Sequence, residues 1–186
     1  MTEQIKNRNF ASPLRFDFSI DRLKNVDFFV QAANVPGITL PATSNAQGTP
    51  FNNIPWQGDR LSWGELVVDF KVDEDIKNWT DIFNWMKGIG FPENFVQYSD
   101  LKKGIDKDID GGTRKLLPPA TKIGQIYGQA LLVVRNSQNN VVLEIAYQDV
   151  YPTSLSELKF DTRDENVIEL TCTAIFKYDL YRITRP

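Results

Sequence analysis

From Ile168 to Tyr178 the chain alternates without a break. Ile168, Leu170, Cys172, Ala174, Phe176 and Tyr178 take the even positions, and Glu169, Thr171, Thr173, Ile175 and Lys177 the odd ones. A period of two makes an extended strand with one apolar and one mostly polar face. The apolar face has to be covered, either by a helix or by the other wall of a sandwich or barrel. Residues 141–150 are less regular, but their β-branched content favours extended chain. Pro152 lacks an N–H and is expected to interrupt the ladder there. Ser154-Leu155-Ser156-Glu157 has the form of a capping box, enough for one helical turn before 158–160 re-extends.

The same alternation recurs upstream. Leu14, Phe16, Phe18 and Ile20 face one way and Arg15, Asp17 and Ser19 the other. Residues 26–35 form the next strand, and the two are expected to pair as a hairpin closed by a turn at 21–25. Residues 66–72 alternate Leu66, Val68, Phe70 and Val72 against Val67, Asp69 and Lys71, and 127–135 add a strand before an Asn-rich turn at 136–140. Between them, Ile76, Trp79, Ile82, Phe83, Met86 and Ile89 recur at helical spacing. Acidic residues at 73–75 suit the start of that helix, and Gly88 or Gly90 its end. The expected fold is therefore mainly β (α+β), an antiparallel sandwich or partial barrel of about seven strands with one outer helix. The chain of 186 residues suits one domain. Residues 1–12 are read as a mobile arm and 181–186 as an exposed tail.

Two segments fit neither pattern. Residues 39–63 are interrupted by Pro41, Pro50 and Pro55, yet carry Phe51, Ile54, Trp56 and Trp63. A purely solvated loop rarely holds so many large apolar side chains. Either the segment folds back over its own core, or it is an arm buried by a neighbouring subunit. Residues 91–126 form a long polar insertion. Within it Asp106, Asp108, Asp110 and Gly111 match the first half of an EF-hand loop. The match fails where Leu117 replaces the bidentate Glu, so a solvated loop is the better reading.

Composition removes much chemistry. The chain has no histidine, so it has no His base, Ser-His or Cys-His pair, or His metal ligand. Its one cysteine excludes an intrachain disulfide. A net charge of −3 argues against a broad grip on phosphate backbone. No nucleotide-binding glycine loop or nucleophile elbow is present, and no carboxylate pair stands out from the background. No stretch approaches the ~20 apolar residues of a membrane helix. No catalytic, cofactor-binding or metal-binding residues are assigned, and a binding or structural protein is expected rather than an enzyme.

The order of residues carries a family resemblance. QDVYPTSLSELKFDTRDENVIELTCTAIFKYDLY resembles the C-terminal signature of the tail tube proteins of contractile-tailed bacteriophages. VPGITLP…PFNNIPWQGDRLSWGELVVDF resembles their pattern of strand, Pro-Gly, extended arm, Gly-Asp-Arg and strand. The resemblance spans residues 10–181 apart from the insertion. It implies a virion tail protein assembled in the host cytoplasm. Six subunits would form a ring with a continuous inner β-barrel, and rings would stack into a conduit for DNA ejection. It implies sheath and baseplate hub as partners, DNA passing without specific binding, and no membrane or small-molecule ligand. It favours the intermolecular reading of the arm, with Phe51, Ile54, Trp56, Asp59, Arg60 and Trp63 as candidate subunit contacts. The reading leans to the repeating tube subunit. A baseplate hub or tube initiator is the alternative that the long insertion favours. The secreted tube of a type VI secretion system shares the fold, and a soluble β-barrel binding a small ligand is the alternative of another class.

Overall fold

The computed structural model describes residues 15–27, 29–44, 55–103, 126–161 and 169–185. In chain order the elements are β1 (Phe16–Ile20), α1 (Lys24–Asp27), β2 (Val30–Ala33), β3 (Ile38–Thr39), β4 (Ala42–Ser44), β5 (Pro55–Gln57), β6 (Ser62–Trp63) and β7 (Leu66–Lys71). They continue with α2 (Lys77–Gly90), α3 (Val96–Lys103), β8 (Gly128–Arg135), β9 (Val141–Leu155), β10 (Thr171–Lys177) and β11 (Leu180–Thr184).

Seven strands form one antiparallel path in the order β1-β8-β9-β10-β7-β2, with β11 added to β9. The path bends at β9. Residues 141–150 of β9 pair with β8, and 144–148 also pair with β11 on the opposite edge. Residues 151–155 pair with β10 instead. β9 therefore belongs to two half-sheets, β1-β8-β9-β11 and β9-β10-β7-β2, whose inner faces share one core. Strands that pass between sheets turn their corners at bulges, and β9 has two at the bend, besides one at Val142 near its start. Opposite β8, Gly128 pairs with Val150 but Ala130 with Tyr147, so β9 carries extra residues at the bend. Asp149 lies there with φ 54°. Opposite β10, Ser154 pairs with Ile175 but Pro152 with Phe176, which leaves Thr153 bulged. The Thr153 hydroxyl donates to the Ile175 carbonyl at 3.1 Å.

These bulges explain the weak alternation of 141–150 in the sequence. Ile145 and Tyr147 point inward on odd numbers, and Val150 and Pro152 on even numbers. The extra residue at the bend flips the phase. Pro152 does not break the strand as expected, because the bulge beside it absorbs the missing N–H. Nor does Ser154 cap a helical turn, since β9 runs on to Leu155. The Ser156 hydroxyl instead accepts from the Thr173 amide at 3.0 Å.

β10 has the inward set Cys172, Ala174 and Phe176 that its alternation requires, and β7 has Leu66, Val68 and Phe70. Phe18, Ile20, Ala130, Leu132, Ile145, Tyr147 and Val150 fill the core from the first half-sheet. Other pairings differ from expectation. β1 and β2 do not form a hairpin. β1 pairs with β8 and β2 with β7, and the helical turn α1 carries the chain from one half-sheet to the other. Residues 181–184 are not a free tail but lie in β11, paired along β9.

α2 lies against β9, with Ile82 and Trp85 entering the core. Its inward face runs through Asn78, Ile82, Trp85 and Gly88, not through Phe83, which is exposed. Buried Asn78 is fully bonded. Its amide donates to the Lys71 carbonyl at 2.7 Å, and its backbone N–H donates to the Asp73 carboxylate at 3.1 Å. Asn78 thereby ties the end of β7 to the start of α2. The last helical residue is Gly90, and the left-handed capping position after it is taken by Phe91, at φ 32°, rather than by a glycine. Gly88 has another role. A Cβ there would meet Leu101 of α3 at 3.0 Å, so the glycine lets the two helices touch. α3 is a second helix inside the segment read as a polar insertion. Asp106, Asp108 and Asp110 lie outside the described residues.

Asp149 gives a direct test of the corner. Asp149→Gly should fold with stability within ~1 kcal/mol of the parent, because glycine takes positive φ freely. Asp149→Val should lose ~1–2 kcal/mol, the cost of a β-branched residue held left-handed. Urea unfolding followed by circular dichroism reads both.

Candidate assembly surface

Residues 38–44 and 55–63 are the two limbs of a two-stranded ribbon. β3 pairs with β6 in the register Ile38↔Trp63 and Thr39↔Ser62. β4 pairs with β5 in the register Ala42↔Gln57, Thr43↔Trp56 and Ser44↔Pro55. Two residues on one side of the junction, 40–41, face four on the other, 58–61. This excess holds Asp59 and Arg60, both exposed. Gly58 makes the junction possible. Its N–H donates to the Pro41 carbonyl at 2.7 Å, and a Cβ there would sit 2.5 Å from that oxygen. Among the described residues the four ribbon strands pair only with one another. Leu40 is 52% exposed, Trp56 59% and Leu61 52%. An isolated two-stranded ribbon is marginal in water, and one with apolar side chains in solvent is a surface suited to burial against a partner.

Of the candidate contact residues, Trp56, Asp59 and Arg60 stand exposed on the ribbon. Phe51 and Ile54 lie outside the described residues. Trp63 is placed at the root, where its ring packs edge-on against Tyr181 of β11 with centroids 4.8 Å apart.

That root is closely held. The Asn34 amide donates to the Glu65 carbonyl at 3.0 Å, and its side-chain oxygen accepts from the Val67 N–H at 2.7 Å. The Gly64 N–H donates to the Gly37 carbonyl at 2.9 Å. A Cβ on Gly64 would lie 3.2 Å from both N and O of Gly37, so the two chains cross closely. The Tyr181 hydroxyl donates to the Pro36 carbonyl at 3.3 Å. Behind Tyr181 lie Tyr147, at 5.6 Å between centroids, and Tyr178, at 6.0 Å. The Tyr147 and Tyr178 hydroxyls are buried, with no hydrogen-bond partner among the described residues. Burial pushes the Tyr147 phenol far above its usual range, with Tyr178 and Tyr181 adding to the shift. Burial also raises Tyr178, to about 12.

Three strand edges complete the surface. Among the described residues, β1, β2 and β11 each have a partner strand on one side alone. Open edges are templates for pairing with another chain. A second apolar group stands on the helical side, where Phe91, Phe95 and Tyr98 meet at 5.5–5.9 Å. Trp79 and Phe83 stack beside it at 5.5 Å. Among the described residues, aromatic and aliphatic side chains of both half-sheets pack together in the space between them. A cleft lined by Arg22, Asp81, Trp85 and Lys87 is open and mixed in polarity. Among the described residues there is no group of three or more Cys, Asp or Glu placed to hold a metal ion.

Tyr147→Phe should leave stability unchanged or raise it by up to ~1–2 kcal/mol, because it removes a buried hydroxyl without a partner. The raised phenols also fix a pH dependence. The folded state holds protons that the unfolded state releases above about pH 10. Stability should therefore be flat below that pH and fall as pH rises above it. Tyr147→Phe should make the fall shallower in denaturant titrations between pH 9 and 11.

No family model matches the sequence. Among curated proteins, the chain is 25% identical over 182 residues to the tail tube terminator protein of Enterobacteria phage T4, covering 95% of this chain and 90% of that protein. Among solved structures, a chain of the six-fold symmetrised anti-feeding prophage baseplate superposes with a TM-score of 0.57 at 13% identity. That match covers 96% of this chain and 98% of the other. A chain of the sheath/tube terminator of an extracellular contractile injection system (PVC), in its extended state, also gives 0.57, at 12% identity, covering 96% and 99%. The bent, helix-flanked sheet is thus the tail tube fold, and the expectation of a structural protein rather than an enzyme agrees with the T4 relative. The chain thus has the tail tube fold and is similar along nearly its whole length to a phage tail tube terminator protein.

Proposed function

We propose that this chain is the terminator of a phage tail tube, a ring that caps the stacked tube, rather than the repeating subunit that the sequence favoured. The observation that carries the reading is the near end-to-end likeness to the T4 tail tube terminator protein. Fold similarity alone does not choose a position along the tail, since a baseplate chain and a terminator chain superpose equally well. The sequence relationship favours the terminator.

The geometry suits ring formation. Open edges at β1, β2 and β11 suit strand pairing between protomers, which closes the ring and removes the edges. The ribbon, with exposed Leu40, Trp56 and Leu61, suits burial on a neighbouring subunit or ring. Six copies per ring, and contact with tube and sheath, are the arrangement this reading takes from its relatives. The role is passive. The ring bounds a channel, and its side chains perform no chemistry on what passes.

A terminator and a repeating subunit behave differently when purified. Alone, this chain should form rings and no long tubes under negative-stain electron microscopy across a concentration series. Added to tubes of the same phage's repeating tube protein, it should appear at one tube end and stop growth there. Long tubes of this chain alone would restore the repeating-subunit reading. Replacing 40–61 by a short Gly-Ser turn should abolish rings while leaving the monomer's circular dichroism and melting cooperativity intact.

A further inference from the structure

The ribbon joins the body through β2 and β7, which both belong to the second half-sheet. Its two connections pass through Gly37 and Gly64, residues without side chains to hold a direction. A Cβ on Gly37 would meet nothing within 4 Å. Left to these connections, the ribbon would swing. Tyr181 comes from the other half-sheet, on β11. Its ring meets Trp63 on the returning strand, and its hydroxyl reaches the Pro36 carbonyl on the outgoing side. Both limbs of the root are therefore touched by one side chain. Tyr181 is itself fixed from behind by the buried Tyr147, its register partner on β9.

We infer that Tyr181 is the positioning residue of the ribbon: it braces the root against the C-terminal strand and sets the direction in which the ribbon leaves the body. The inference rests on the reading of the ribbon as an intermolecular arm. A ribbon held in its bound direction loses less freedom on docking than one that swings, and this preorganisation appears as tighter assembly. It also makes β11 part of the assembly machinery without requiring it to touch the ribbon's docking partner. Displacing β11 would release the ribbon, so pairing of the β11 edge by a neighbour and docking of the ribbon are coupled events.

The test measures direction and assembly separately. Nitroxide labels go on cysteines placed at exposed Gln57 in the ribbon and exposed Gln138 in the β8–β9 turn, while Cys172 is buried away from the label. Double electron–electron resonance on dilute monomer should give one narrow distance for the parent. Tyr181→Leu keeps apolar bulk against Tyr147 but loses the ring edge and the hydroxyl, and should give a broad distribution. Its concentration for half-maximal ring formation should rise at least tenfold. Trp63→Leu removes the same contact from the ribbon side and leaves β11 intact, so the test stands even if the Tyr181 variant fails to fold. Tyr181→Phe, which loses just the long hydrogen bond, should fall between parent and Tyr181→Leu. An unchanged distance distribution in both leucine variants would overturn the inference. So would a broadened distribution with ring formation at the parental concentration. In that second case the ribbon-less chain locates the fault. If it too forms rings, the arm reading is wrong. If it does not, the arm reading stands and Tyr181 is dispensable to it.

Discussion

β9 stays in the ladder from end to end of its 15 residues while it passes from one half-sheet to the other, and from 144 to 148 it is paired along both edges. A strand that simply stopped at the corner would leave two small sheets with extra open edges and a divided core. β9 instead keeps its ladders by absorbing the turn in two bulges, one at Asp149 and one at Thr153. The inward phase changes from Ile145 and Tyr147 to Val150 and Pro152, so apolar side chains enter the same core on both sides of the bend. The remaining elements are attached to this scaffold. β8 and β11 flank its first part, β10 flanks its second, and α2 lies against it.

How much of this the sequence disclosed follows from what each residue faces. β7 and β10 are half-buried strands with regular pairing, so period two was visible in them. β11 is an edge strand whose exposed residues include Arg182 and Thr184, and nothing local distinguishes that composition from a solvated tail. Its place depends on Tyr181, whose partners Tyr147 and Trp63 are distant in sequence. The inward face of α2 was read in part: Ile82 is buried and Trp79, Met86 and Ile89 pack on the core, while the buried Asn78 and Gly88 are positions no hydropathy pattern counts. Phe83 completed a convincing stripe that the fold does not bury. The pairing of β1 and β2 was misjudged because nearness in sequence favours a hairpin, whereas each strand found its partner more than 30 residues away.

The candidate assembly surface was legible in kind but not in form. Prolines beside large apolar residues marked 39–63 as unlike a loop. They did not show that its limbs pair with each other, or that Gly58 and the four residues at 58–61 build a bulge displaying Asp59 and Arg60. Trp63 drew attention as a large exposed-looking side chain. Its place is at the root, packed on its own chain. The difference between a contact residue and a bracing residue is set by tertiary structure, which spacing along the chain cannot encode.

The corner strand has a mechanical consequence. If protomers join edge to edge in a ring, as proposed, any load along the circumference has to cross each protomer from one edge strand to another. Here the route from edge strand β1 to edge strand β2 runs through β8, β9, β10 and β7 without leaving the hydrogen-bonded network. No loop or side-chain contact stands in series with it. A wall made of two separately packed sheets would yield first at the packing between them. The places along that path where the ladder is locally out of step are the bulges at Gln31 of β2 and at Val142, Asp149 and Thr153 of β9. Pulled along this path, the subunit would give at a bulge before its sheets slide apart.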